Sequence, residues 1–140
     1  MERADFQKLT TDRIADVEGL LAINRWSAAY YLAGYAVECA LKSCVLVRLT
    51  AAAGIVFEDK RYSEKCWSHN LEQLVDLAGL KSDFTLARKA DLVLFANWEF
   101  VKDWSESSRY RQTGQAAAEE LFNAITNLQH GVLPWIQQRW

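Results

Sequence analysis

Residues 26–49 read WSAAYYLAGYAVECALKSCVLVRL, with one glycine, no proline and alanine at five positions. Alanine and leucine lose little freedom on entering a helix, whereas proline and glycine interrupt one. The run is apolar around most of its circumference, which suits a helix surrounded by others rather than one lying on a surface. It reads as the central helix of a bundle.

On its N-terminal side, Phe6, Leu9, Ile14, Val17, Leu20 and Leu21 recur near a 3.6-residue period, with Arg13 breaking the stripe. They predict a helix over 6–23, ended by a break at Asn24-Arg25. On the other side, 51–67 is irregular. A short helix over 70–78 follows, with Ser68 or Asn70 as its cap and Gly79-Leu80 as a Schellman stop. Asp83 can cap a helix reaching Val101, and 102–113 is a polar loop that carries Trp104. A last helix begins at Gly114 or Gln115, is apolar at Ala117, Leu121, Ala124, Ile125 and Leu128, and is disturbed by Gly131 and Pro134. No Asn-Gly or Asp-Gly hairpin turn occurs. The expected fold class is all-α: a single domain over 1–140, an antiparallel up-and-down bundle of four to five helices.

Composition narrows the function classes. The chain has 140 residues, 51% hydrophobic and 24% charged, with a formal net charge of −2. That is ordinary globular usage, unlike a disordered tail, and too little positive charge for a general nucleic-acid coat. A local basic patch remains open. The charged opening, Met1 to Asp5, does not read as a secretory signal, and the apolar stretch 39–57 is broken by Lys42 and Arg48, so no membrane span is expected. Cys39, Cys44 and Cys66 form no even framework and no zinc spacing. They read as reduced thiols of a cytoplasmic protein, with no metal and no cofactor expected.

Three places could carry chemistry. Tyr31, Tyr35, Glu38 and Lys42 follow one another at steps of four, three and four, on one face of the central helix. That stripe is either an internal hydrogen-bond network or a binding or dimer-interface face. The segment 97–111 is the densest in aromatic and charged groups: Lys102, Asp103, Trp104, Arg109, Tyr110 and Arg111. Guanidinium forks suit phosphate and rings stack on bases. The other reading has Trp104 plugging the core and Arg109 pairing with Asp103 or Glu38. In both, Trp104 should anchor the loop beside the central helix and bring Arg109 or Arg111 to the Tyr31–Glu38 face. His69 stands at a helix start, where the macrodipole disfavours a charged ring, and is a weak catalytic candidate. His130 reads as a helix-end residue.

The stretch from Trp26 through Ala28-Ala29-Tyr30-Tyr31 to Glu38-Cys39-Ala40-Leu41-Lys42 resembles the second helix of HEPN domains, the helical family named for higher eukaryotes and prokaryotes nucleotide-binding. Ser68-His69-Asn70-Leu71-Glu72-Gln73-Leu74 is similar to the segment opening that family's next helix. Asn97-Trp98, Asp103-Trp104 and Ser108-Arg109-Tyr110 resemble one of its subgroups. The resemblance implies a four- or five-helix bundle that forms a homodimer and associates with nucleotide or RNA. It also implies a minimal nucleotidyltransferase as partner, in a toxin–antitoxin or related defence system. Many toxic members are metal-independent RNases marked by an Arg-x4-6-His motif. This chain lacks the motif: Arg61 precedes His69 by seven intervening residues, and neither Arg109 nor Arg111 is followed closely by histidine. The resemblance therefore implies fold, dimer and nucleotide association, with a divergent RNase or a purely structural dimerisation module as alternatives.

Overall fold

α2 (Trp26–Ala51) is the axis of the molecule and carries twelve of its buried residues. A computed structural model describes residues 1–140. α1 (Arg3–Ala22) packs antiparallel along α2 as a helical hairpin. Its turn is set by Asn24, whose positive φ of 60° lets the Asn24 and Arg25 N–H groups donate back to the Leu21 and Leu20 carbonyls. Asparagine tolerates that left-handed conformation better than most side chains. Thr10, buried on α1, donates to the Phe6 carbonyl at 2.9 Å and to the Ala36 carbonyl of α2 at 3.3 Å.

Beyond α2 come α3 (Tyr62–Lys65), α4 (Leu71–Leu77), α5 (Lys81–Ala90), α6 (Leu92–Val101), α7 (Gln115–Thr126) and α8 (Val132–Gln137). Two 3₁₀ turns, Ala53–Phe57 and Glu106–Tyr110, fill the longer connections. The fold is all-α, and α4, α7 and α8 pack with α1 around α2. A single cluster of 25 buried residues runs through it. Leu41, Leu71, Leu74, Phe84, Leu121, Ile125 and Ile136 are its largest fully buried apolar side chains.

The eight α-helical segments exceed the four to five expected because two helices are subdivided and a short one, α3, lies in the stretch read as irregular. The helix expected over 83–101 breaks at Asp91, which caps α6 by accepting from Val93 and Leu94 N–H at 3.1 and 3.0 Å. The C-terminal helix stops at Thr126 and resumes as α8 past Gly131, with Pro134 inside the first turn of α8, where its missing N–H costs nothing. The irregular 51–67 stretch holds α3, where Tyr62 is buried and donates its hydroxyl to the Leu77 carbonyl at 2.8 Å. Asn70 caps α4 through the Gln73 N–H at 2.9 Å, and Gly79 at φ 72° closes it with both Schellman bonds. Asp83 caps nothing; α5 starts two residues earlier, and Asp83 lies in its first turn. No helix is long and apolar enough to cross a membrane.

Candidate functional site

Beside Tyr31 on α2 stands Gly34, where the helix has no side chain. The indole of Trp104 lies there, and a Cβ added at Gly34 would overlap its Cγ, Cδ1 and Cδ2 atoms. The close approach permitted by this glycine is therefore to a side chain and not to another helix. Trp104 is only 3% exposed and stacks on Tyr31 at 6.1 Å, and Tyr31 stacks on Tyr35 at 6.3 Å. Trp104 pins the start of the 102–113 segment to α2. The far end is pinned by Ser27, whose hydroxyl accepts from the Thr113 N–H at 2.8 Å and lies 3.4 Å from the Thr113 carbonyl.

Between these pins the segment and the first turn of α2 enclose an open cleft of about 530 Å³. Trp26 and Tyr31 supply its aromatic surface, Arg25 and Arg109 its charge, and Asn24, Ser27, Gln112 and Thr113 its neutral polar groups. No carboxylate lines it. α2 has no side-chain cap, so the unpaired N–H groups of its first turn add partial positive charge at the same place. Arg109 leans over the Tyr110 ring at 4.8 Å, and Tyr110 is itself 79% exposed. Arg109 pairs with neither Asp103 nor Glu38.

The other residues of this loop separate from the cleft. Arg111 donates to the Ser107 hydroxyl at 3.1 Å and lines a smaller cavity of about 300 Å³ with Tyr30 and Asp103. Burial raises the Tyr30 phenol above its usual range, with Arg111 opposing and Asp103 reinforcing. Lys102 turns the other way, to Glu99 at 2.9 Å and Glu72 at 3.8 Å. The hydrogen bond to Glu99 raises its ammonium above the usual lysine range.

Further along α2 lies the second part of the face. Glu38 is 1% exposed. Its carboxylate meets the Lys42 ammonium at 2.8 Å, and both its oxygens lie 3.0 Å from His69 Nδ1. His69 Nε2 lies 2.9 Å from Glu106 on the 3₁₀ turn. His69 does stand at the start of α4, and its ring meets two carboxylates there. Beside it, burial pushes the Tyr35 phenol up to about 12 and the Cys39 thiol up to about 11. Tyr31, Tyr35, Glu38 and Lys42 thus do share one face, with Glu38 and Lys42 consumed internally and Tyr31 reaching the cleft.

No protein-family profile, curated protein or solved structure matches this chain. The site stands on its own geometry.

Three features escaped the sequence reading. Arg25 looked like part of a helix break, yet it stands at the cap position of α2 and lines the cleft. Glu106 carried no signal, because its partner is remote in sequence. His130, read as a helix-end residue, has its Nδ1 2.7 Å from Asp91 and its backbone carbonyl accepting from Asn97 at 2.8 Å, which fastens the turn before α8 to the start of α6. No group of three or more His, Cys, Asp and Glu side chains is arranged to hold a metal ion.

Proposed function

We propose that this chain is a HEPN-like helical domain that binds a nucleotide or a short stretch of RNA in the cleft at the start of α2. One observation carries the reading: two guanidinium groups and an uncapped 26-residue helix meet aromatic surface in a cavity with no carboxylate. Guanidinium groups and helix N–H groups suit phosphate, and the rings offer a base a stacking surface. The test is binding of fluorescently labelled short RNA and of labelled adenosine nucleotide by the wild type and by an Arg25→Ala, Arg109→Ala double variant. Binding that weakens with salt and is lost in the double variant supports the reading. A wild type that binds neither probe removes it.

The proposed setting is cytoplasmic, beside a minimal nucleotidyltransferase, and rests on the sequence resemblance. The homodimer has support of a different kind. α6 exposes Leu92, Val93, Phe95 and Phe100 together, and Leu92 is 75% exposed. The neighbouring carboxylates already have partners within the chain, Asp91 with His130 and Glu99 with Lys102. Two copies can oppose this face across a two-fold axis without like-charge repulsion. Trp135 and Trp140 pack against the core, Trp135 on Phe84 at 4.4 Å, and add nothing to this face.

The second reading, a divergent metal-independent RNase, draws on the grip of buried Glu38 on His69 Nδ1; it requires Glu106 to leave Nε2, which it meets at 2.9 Å, before that nitrogen can move a proton. It predicts RNA cleavage without added metal that His69→Ala abolishes.

A further inference from the structure

A neutral imidazole carries one N–H, yet both ring nitrogens of His69 lie at hydrogen-bond distance from carboxylates: Nδ1 from Glu38 at 3.0 Å and Nε2 from Glu106 at 2.9 Å. Only the protonated ring can donate to both at once. The two acceptors are not equivalent. Glu38 is buried on the central helix and keeps Lys42 at 2.8 Å whatever the ring does. Glu106 is half-exposed, sits on a five-residue 3₁₀ turn, and has His69 as its one ion-pair partner. Loss of the ring proton therefore leaves Glu106 facing either a lone pair or a competitor for the single N–H, and Glu106 is the partner free to leave.

We propose that His69 is a proton-operated latch: its imidazolium ties the Glu106 end of the 3₁₀ turn to Glu38 on α2, and deprotonation releases that turn. Arg109 is three residues beyond Glu106 on the same turn and forms part of the cleft wall. Trp104 and the Ser27–Thr113 contact stay in place on either side, so the release loosens the wall without detaching it. The charged groups facing the ring are Glu38 and Lys42 from α2 and Glu106 from the 3₁₀ turn. On neighbouring elements, Glu72 of α4 is engaged by Lys102, and Lys65 of α3 by Asp59 at 2.7 Å. The bearing of the latch on ligand binding rests on the cleft reading above; the latch itself does not.

The experiment is amide hydrogen exchange of the ligand-free full chain at about pH 5.5 and about pH 8, corrected for intrinsic rates, with the ring proton followed by NMR. Protection of the amides of 105–111 should fall roughly threefold as the ring deprotonates, the scale of a half-exposed ion pair. Glu106→Gln removes the charge from an exposed position without touching the core, and should abolish the pH dependence. Equal protection at both pH values in the wild type, or an unchanged profile in Glu106→Gln, overturns the latch. A parallel arm measures labelled short RNA at both pH values: weaker binding at the higher pH in the wild type alone places the latch in control of the cleft. A turn that loosens on schedule in a protein that binds no RNA upholds the latch and removes the ligand reading.

Discussion

The indole of Trp104 occupies the position where any side chain at residue 34 would stand. Gly34→Ala inside a helix ordinarily gains up to about 1 kcal/mol from reduced backbone freedom. Here the sign should reverse, because the methyl group must displace a ring that is wedged against α2. A loss on the order of 2 kcal/mol is expected in chemical denaturation, together with faster exchange in 102–113. A variant as stable as the wild type would show that Trp104 can step aside.

Glu38→Ala should be among the most damaging polar substitutions. It strands Lys42 and one ring nitrogen of His69 beside a void, at a cost of about 3 kcal/mol. Glu106→Ala, which removes the other carboxylate from the same ring, should shift the denaturation midpoint by far less, because that group is half-exposed. Equal effects would contradict the unequal roles assigned to the two acids.

Asp91 should contribute to acid sensitivity. Its hydrogen bond with His130, aided by the Leu94 N–H, holds its carboxyl below the usual aspartate range. A carboxyl depressed in the folded state adds stability above the unfolded pKa, and that stability is lost as pH falls through the folded value. Asp91→Asn keeps the α6 cap and removes the charge opposite His130. Its melting temperature should therefore vary less with pH over the acidic range than that of the wild type, and parallel curves would refute the assignment.

Phe95→Glu introduces charge on the exposed side of α6 without touching the core. In a protein that is dimeric through this face, sedimentation should show conversion to monomer with the helical spectrum unchanged. A wild type that sediments as a monomer at every concentration sinks the dimer.

Thiol labelling should separate the cysteines. Burial pushes the Cys39 and Cys44 thiols up to about 11, so near neutral pH both are inaccessible and protonated. Cys66 is half-buried, and burial raises its thiol too. One slow modification is expected in the native protein and three in denaturant; rapid reaction at Cys39 would mean that α2 is not packed as described.

The sequence was informative wherever local chemistry decides structure. The apolar run on α2, the Asn70 cap and the Gly79 stop each depend on neighbours a few residues away, and each is present. Asp91 was harder to see, because a cap inside a continuous apolar pattern looks like one more polar residue on a longer helix. The anchoring of Trp104 could be argued from its cost in water, but which arginine followed it into the cleft could not: Arg109 and Arg111 are two apart, and the path of the 3₁₀ turn sends them to different cavities. Glu106 and His130 each meet a partner from a distant element, a relationship that no local pattern records.

The contact between Ser27 and Thr113 joins residues 86 positions apart. The α1–α2 hairpin needs only its own short turn and can form as soon as those residues leave the ribosome; the cleft must wait for a loop closure spanning most of the chain. A nascent or truncated chain ending before Trp104 would thus hold the hairpin with its aromatic face uncovered: Tyr31 without Trp104, and an uncapped helix without a wall. Until Trp104 and Thr113 have been added this face has no cover, and that interval is when a chaperone or a partner chain would have the most surface to hold.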